Sequence, residues 1–207
     1  MITGASRGLG AALAKALCTD YHIIAVARTT GALEELDDRI NDKGGKATLA
    51  PMDITQDAAM QHLCRSIYDR WGKLDLWLHT AIHDAPLSPA DHISASDWDK
   101  STALNVRATG ILISYIAPLL GQSGTAVFFE DPAPRGTKFF GAYGATKAAQ
   151  IALARSWQAE TLKNGPHVHI MSPAPMPTTL RERFYPGENK TGLADPKKEA
   201  ERLLSEL

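Results

Sequence analysis

Short apolar runs of strand length alternate along this chain with longer segments whose apolar residues recur at helical spacing, and few folds accept that order. Residues 22–27, 47–52, 74–79, 125–129 and 167–171 read as strands, apolar enough to be buried on both faces. Between them, 30–43 places Leu33, Leu36 and Ile40 on one helical face and stops at Gly44 and Gly45, while 56–71 stops at Gly72. Ser96, with Asp99 three residues on, predicts the capped start of a long helix reaching about Leu120. A further helix is predicted over 143–163, and Asp195-Pro196 reads as an N-cap followed by proline at the first helical position. Strand–helix alternation forces right-handed crossovers and a parallel sheet covered on both faces. The expectation is an α/β fold with a Rossmann-type doubly wound parallel sheet in three layers. With 207 residues, too few for two domains of ordinary size, it is expected to form a single domain over 1–207. Only Met1, Ile2 and Thr3 precede the first glycine. A central strand that short implies either a start displaced from the true one or an unusually brief strand.

In such a sheet ligands bind at the carboxyl ends of the strands. The glycine-rich stretch Thr3-Gly-Ala-Ser-Arg-Gly-Leu-Gly10, then Asp53, His79, Glu130, Asp131 and Ser172, all fall at predicted strand ends. Gly4 permits a tight turn, and Gly8 and Gly10 let backbone amides approach a pyrophosphate at the positive end of the first helix. Tyr143 and Lys147, four residues apart, can set a phenol and an ammonium side by side on one helical face. Such a chain is equipped to bind a dinucleotide and to move a proton beside it.

Lys plus Arg number 22 against 23 Asp plus Glu, which gives no bulk attraction to nucleic acid or an anionic membrane. The apolar run 111–120 contains Ser114, Tyr115 and Pro118 and is too short to span a bilayer. Cys18 and Cys64 read as reduced and buried, and the compartment as cytoplasmic. His79 and His83 have the spacing of metal ligands on a helix but fall at a strand end and in a loop, so no metal site is expected. His167 and His169 alternate along a strand as packing or surface residues.

The set formed by the glycine loop, Asp53-Ile54, Asn105, Tyr143-x-x-x-Lys147 and Ser172-Pro-Ala-Pro-Met-Pro-Thr178 resembles the short-chain dehydrogenase/reductase family from residue 2 to about residue 200. The resemblance implies that Tyr143 is the general acid or base, that Lys147 favours its ionisation and holds the nicotinamide ribose, and that Asn105 holds a water in the proton relay. It further implies cofactor contacts from Gly4, Ser6, Arg7, Gly8, Leu9, Gly10, Arg28, Ile54, Ala81, Pro173 and Thr178, with Asp53 bonding the adenine amino group. The second predicted strand ends Val26-Ala27-Arg28-Thr29, with no acid for the ribose hydroxyls. Arg28 and Arg7 can flank a 2′-phosphate, so NADP(H) is expected over NAD(H). Family members pair through the long helix and the tyrosine helix, which implies a homodimer. A lid-like segment is expected around 178–194, where Arg181, Arg183 and Lys190 hint at an anionic substrate or simply charge a surface loop.

Two departures stand out. Where the family usually has a serine after the fifth strand, the chain reads Glu130-Asp131-Pro132, with either acid placeable at the site. A carboxylate ~4 Å from the phenol opposes its ionisation by roughly 4 kcal/mol at an effective dielectric of about 20. The usual Asn-Asn-Ala-Gly turn has become His79-Thr80-Ala81-Ile82, which puts an imidazole next to the cofactor. The first reading is therefore an NADP(H)-dependent oxidoreductase moving hydride to or from a small carbonyl, alcohol or activated double bond. The second is a dinucleotide-binding sensor or partner-binding protein of the same fold that has lost turnover.

Overall fold

A computed structural model describes all of residues 1–207. Six strands, β1 (Ile2–Thr3), β2 (Ile23–Ala27), β3 (Ala47–Pro51), β4 (Leu76–His79), β5 (Thr125–Phe129) and β6 (His167–Met171), form one sheet in the order β3-β2-β1-β4-β5-β6. The sheet is parallel and flanked by helices, and its strand order is the dinucleotide-binding order of doubly wound folds. β1 has two residues yet a partner on each side: Ile2 pairs with Ala25 and Leu78, and Thr3 with Val26 and His79. β2, apolar throughout, is buried at all five positions. Pro51 is tolerated because it ends β3, at the sheet edge.

The helices are α1 (Gly8–Leu17), α2 (Thr30–Asn41), α3 (Asp57–Trp71), α4 (Ala95–Ser101), α5 (Thr109–Leu120), α6 (Gly141–Thr161), α7 (Thr179–Phe184) and α8 (Pro196–Leu204). The chain forms two compact units. The first is Met1–Asp53, Leu78–Ala81 and Pro173–Leu207. In it α8 packs on α1, capped by the Asp195 carboxylate, which accepts from the Lys197 and Lys198 amides. Glu199, buried on α8, pairs with Arg202 and accepts from the Ala174 amide at 2.7 Å, tying α8 to the loop after β6. That pairing with Arg202 holds the Glu199 carboxyl below its usual range.

The second unit is Ile54–Trp77 and Ile82–Ser172. Its centre is aromatic: Trp77 meets Phe128 edge-on with ring centroids 5.3 Å apart, and Phe128 meets Trp157 edge-on at 6.2 Å. Cys64, a free thiol on α3, is pushed up to about 11 by burial.

Sequence and structure disagree at several helix ends. The long helix starts at Ala95, because Ser94 makes the cap: its Oγ accepts from the Asp97 amide at 3.0 Å and donates to the Asp97 carboxylate at 2.8 Å. Ser96 and Asp99 offer the same spacing two residues later, and the earlier register prevails. The helix also changes pitch, since Thr102–Ala108 winds as a π-helix between α4 and α5. The whole run, Ala95–Leu120, has 26 residues and a mean hydropathy of 1.4 in its most apolar window, enough by length and composition alone to cross a bilayer. The shorter span 111–120 understated it, and Leu104, Ala108, Leu112 and Ile116 are turned into the protein. α6 begins at Gly141, two residues before the predicted start, which puts Tyr143 inside its first turn.

Candidate active site

In the first unit the glycine loop is held on both sides. The Gly4 amide donates to Val26 O at 2.8 Å, and Thr80 Oγ1 donates to Thr3 O at 2.8 Å. Gly4 has φ +86°, and a Cβ there would lie 2.6 Å from the Ala81 amide nitrogen. Only glycine fits such a close approach in the left-handed region. A Cβ on Gly10 would strike Gly4 O and Thr80 Oγ1, whereas one on Gly8, at φ +55°, would meet a Thr178 methyl at 3.4 Å. Gly4, Gly8, Gly10, Ala81 and Thr178 are thus brought together. Arg7, at the N-cap of α1, supplies no side-chain cap. The first amides of α1 are therefore available to an anion at the positive end of the helix. This cradle fits a pyrophosphate.

Ser6, Gly8 and Leu9 are half-buried, while Arg7 and Arg28 are exposed. Asp53 is half-buried beside the buried Ile54, and Pro173 is half-buried after β6. Thr178 caps α7, its hydroxyl accepting from the Arg181 amide at 3.3 Å. The altered turn after β4 holds its imidazole inward. His79 is 1% exposed and its Nδ1 is bonded to Thr3 Oγ1 at 2.7 Å, so the imidazole completes the packing of β4 against β1.

In the second unit hydrogen bonds link the residues expected to handle a proton to their neighbours. The Tyr143 hydroxyl, on a side chain 3% exposed, donates to Asp131 Oδ2 at 3.2 Å. The Glu130 amide continues the ladder to Met171 O at 2.8 Å, and its carboxylate accepts from Ser172 Oγ at 2.7 Å and from Arg155 at 3.0 Å. Those two donors hold the Glu130 carboxyl below its usual range. Of the two acids left open by the sequence, Asp131 meets the phenol.

Lys147 is buried on α6 and donates to Gln150 Oε1 at 2.8 Å. Burial pushes its ammonium down to about 8, against the opposing pull of the Asp131 and Glu130 carboxylates. Gln150 passes its own N–H to Thr109 Oγ1 at 3.0 Å, and Thr109 donates to Asn105 O at 3.0 Å. Asn105, fully buried in the π-helical turn, accepts from the His83 amide at 2.7 Å and donates to His83 O at 3.1 Å and to Thr146 Oγ1 at 2.9 Å. A π-turn in a long helix is a common functional device, and here it presents Asn105 to α6. Sequence reasoning missed Thr109, Thr146 and Gln150. Gln150 was findable, three residues after Lys147 on the same helical face.

The lid-like segment does not offer its cations freely. Arg181 makes a two-pronged pair with Glu188 at 2.6 Å and lies over the Tyr185 ring at 4.6 Å, and Lys190 pairs with Glu182. Of the two expectations for this segment, the self-paired charged loop fits these contacts.

The short chain dehydrogenase family model matches residues 1–189. Sorbitol dehydrogenase of Cereibacter sphaeroides is 29% identical over 178 residues, covering 84% of this chain and 68% of that protein. A Shigella flexneri 2a protein solved in complex with NADP superposes with a TM-score of 0.87 at 26% identity, over 95% of this chain and 85% of the other. A 3-ketoacyl-ACP reductase from Sinorhizobium meliloti 1021 gives 0.84 at 26% identity, over 99% and 90%.

Proposed function

The chain belongs to the short-chain dehydrogenase family of oxidoreductases, and on that premise we propose that it is an NADP(H)-dependent reductase or dehydrogenase acting on a small carbonyl, alcohol or activated double bond. One observation carries the reading: Tyr143 and Lys147, 3% and 8% exposed, are buried four residues apart on one helix. Burying an ammonium is costly, and a fold that keeps one a helical turn from a buried phenol has a use for its charge.

When bound, the nicotinamide supplies or accepts hydride. Gly4, Gly8 and Gly10 admit the pyrophosphate to the amides of α1, and Ser6, Leu9, Ile54, Ala81, Pro173 and Thr178 line the cofactor. Asp53 holds the adenine, and Arg7 and Arg28, exposed and without a competing acid at the end of β2, receive the 2′-phosphate. Tyr143 gives or takes the proton at the substrate oxygen. Lys147 favours the phenolate electrostatically and bonds the ribose. Asn105 fixes the loop at His83 and the turn of α6 that carries both. The segment 178–194 closes over substrate as a lid on the single nucleotide-binding domain. The apolar helix Ala95–Leu120, 44% buried in its most apolar window, together with the exposed Leu153 of α6, suits pairing into a cytoplasmic homodimer.

A second reading, nucleotide binding without turnover, draws on Asp131 meeting the phenol where the family resemblance implies a serine. One experiment separates the two: titrate NADPH and NADH by cofactor fluorescence, then follow NADPH oxidation over a panel of aldehydes and ketones. Tight NADPH binding with turnover supports the enzyme. Binding with none across the panel favours the sensor, and no binding defeats both.

A further inference from the structure

The Tyr143–Asp131 contact bears on what is reduced. Reducing a ketone turns its oxygen toward an alkoxide, and negative charge then grows beside Asp131. At ~5 Å and an effective dielectric of about 20 that juxtaposition costs roughly 3 kcal/mol. Asp131 also accepts from the phenol instead of leaving it free for the substrate, and a carboxylate has no proton to donate to a carbonyl.

We infer that the preferred substrate is a protonated carbon–nitrogen double bond, an iminium, with Asp131 holding the N–H⁺ and thereby setting specificity. The inference rests on the oxidoreductase reading above. The balance is simple: hydride from reduced nicotinamide forms the new C–H bond, the C=N π pair moves onto nitrogen, and an iminium becomes a neutral amine. The reacting pair carries one positive charge before and after, and no anion is created near Asp131. The proton already on nitrogen replaces the one a carbonyl oxygen would demand from Tyr143.

Three further observations agree. Tyr143 occupies Oδ2, leaving Asp131 Oδ1 for a ligand donor, and Lys147 gives its hydrogen bond to Gln150. Between 82 and 100 stand the buried Asp84 and Asp91, Asp97 and Asp99 against Lys100, with Asp91 bonded to His92 at 2.9 Å and Asp97 to Ser94 at 2.8 Å, an acidic excess that attracts positive ligands. Ala90, Ile93, Ala95 and Trp98 of the same stretch, with Gly141 of α6, line an open cavity of about 520 Å³, and Gly141 stands two residues from Tyr143 in sequence. On the loop before α6, Arg135 lies near Glu130 and Lys138 lies over the Phe139 ring at 4.6 Å.

The test compares 3,4-dihydroisoquinoline with 2-tetralone, a ketone of the same bicyclic size, under NADPH. It also measures the affinity of the NADP⁺-saturated protein for 1,2,3,4-tetrahydroisoquinoline and 2-tetralol by calorimetry. Expected are kcat/KM higher by about tenfold or more for the imine and a similar preference for the ammonium in binding. Asp131→Asn, neutral and isosteric, should lose about tenfold in ammonium affinity, and Asp131→Ser should reverse the substrate preference, both keeping NADPH affinity as the sign of an intact fold. Faster ketone reduction by the wild type, or ammonium binding unmoved in Asp131→Asn, overturns the inference and leaves the oxidoreductase standing. No turnover of either compound, with NADPH bound, overturns the inference, and the oxidoreductase reading falls with it only when the aldehyde and ketone panel is inert as well.

Discussion

The ammonium of Lys147 donates to the amide oxygen of Gln150 at 2.8 Å, and that amide in turn donates to Thr109 Oγ1 at 3.0 Å. The cation is therefore held by neutral dipoles in a buried place, with the Asp131 and Glu130 carboxylates acting on it through space. Holding a charge there is an electrostatic arrangement kept at a cost in stability.

That cost should be visible as pH dependence. Burial lowers Lys147 from 10.5 to about 8, so between those values the unfolded chain binds more proton than the native one, and stability rises with pH. The penalty is fully present below about 8 and relieved toward 10.5, a span of roughly 3 kcal/mol. Urea unfolding of the wild type and Lys147→Met at pH 7, 9 and 10.5 isolates it, because other titrations cancel. The stability advantage of the methionine variant should shrink by about that amount, and a difference flat in pH would show that the amine is not buried as a charge.

Tyr143→Phe removes one hydroxyl from a side chain whose ring packs edge-on against Phe140 at 6.5 Å, so the fold should tolerate it. Turnover of any accepted ketone or alcohol should fall by roughly 10²–10⁴, the usual worth of a positioned acid or base. NADPH affinity should stay within about twofold. Retained turnover would remove Tyr143 from the chemistry.

The glycine cradle makes a sharper structural prediction. Gly4→Ala forces a side chain into φ +86° and against the Ala81 backbone at 2.6 Å, and should cost about 2 kcal/mol or more with loss of NADPH binding. Gly31→Ala is the control: it lies in α2, where a Cβ meets nothing within 4 Å. It should stabilise by about 0.5–1 kcal/mol in the same thermal melt.

Much of this was legible beforehand. The period of the apolar pattern marked five of the six strands to within two residues, because parallel strands buried on both faces leave few other readings. The cap at Ser94 was not, since two Ser-x-x-Asp registers lie two residues apart and packing chooses between them. The π-turn at Asn105 has no composition cue at all. The choice between Glu130 and Asp131 needed the β5–β6 ladder, in which Glu130 NH bonds Met171 O and directs its carboxylate to Ser172 and Arg155. Partners 25 and 42 residues distant cannot be paired from local pattern.

The proposed NADP(H) preference assigns the 2′-phosphate to Arg28. It is exposed at the end of β2, where an acid would instead bond the ribose hydroxyls. A charged hydrogen bond to phosphate is worth about 1.5–3 kcal/mol, so Arg28→Ala should narrow the ratio of NADPH to NADH affinity by roughly 10- to 100-fold, chiefly by weakening NADPH. The loss should shrink in high salt. Equal affinities in the unmodified protein would refute the assignment outright.

Asn105 separates a structural role from a chemical one. Both amide hydrogens and the oxygen are engaged, to His83 O, Thr146 Oγ1 and the His83 amide, at a site with no exposure. Asn105→Leu would remove the side-chain partner of the half-buried His83 amide and carbonyl and the donor to the buried Thr146 hydroxyl. At 1–3 kcal/mol for each group left unsatisfied, the loss should be about 3 kcal/mol, or roughly 6–12 °C in Tm for a chain this size. The loop at His83 and the first turns of α6 should exchange amide hydrogens faster in the variant, and turnover should fall with them. A variant that keeps its Tm and its exchange pattern while losing turnover would instead place Asn105 in the proton path itself.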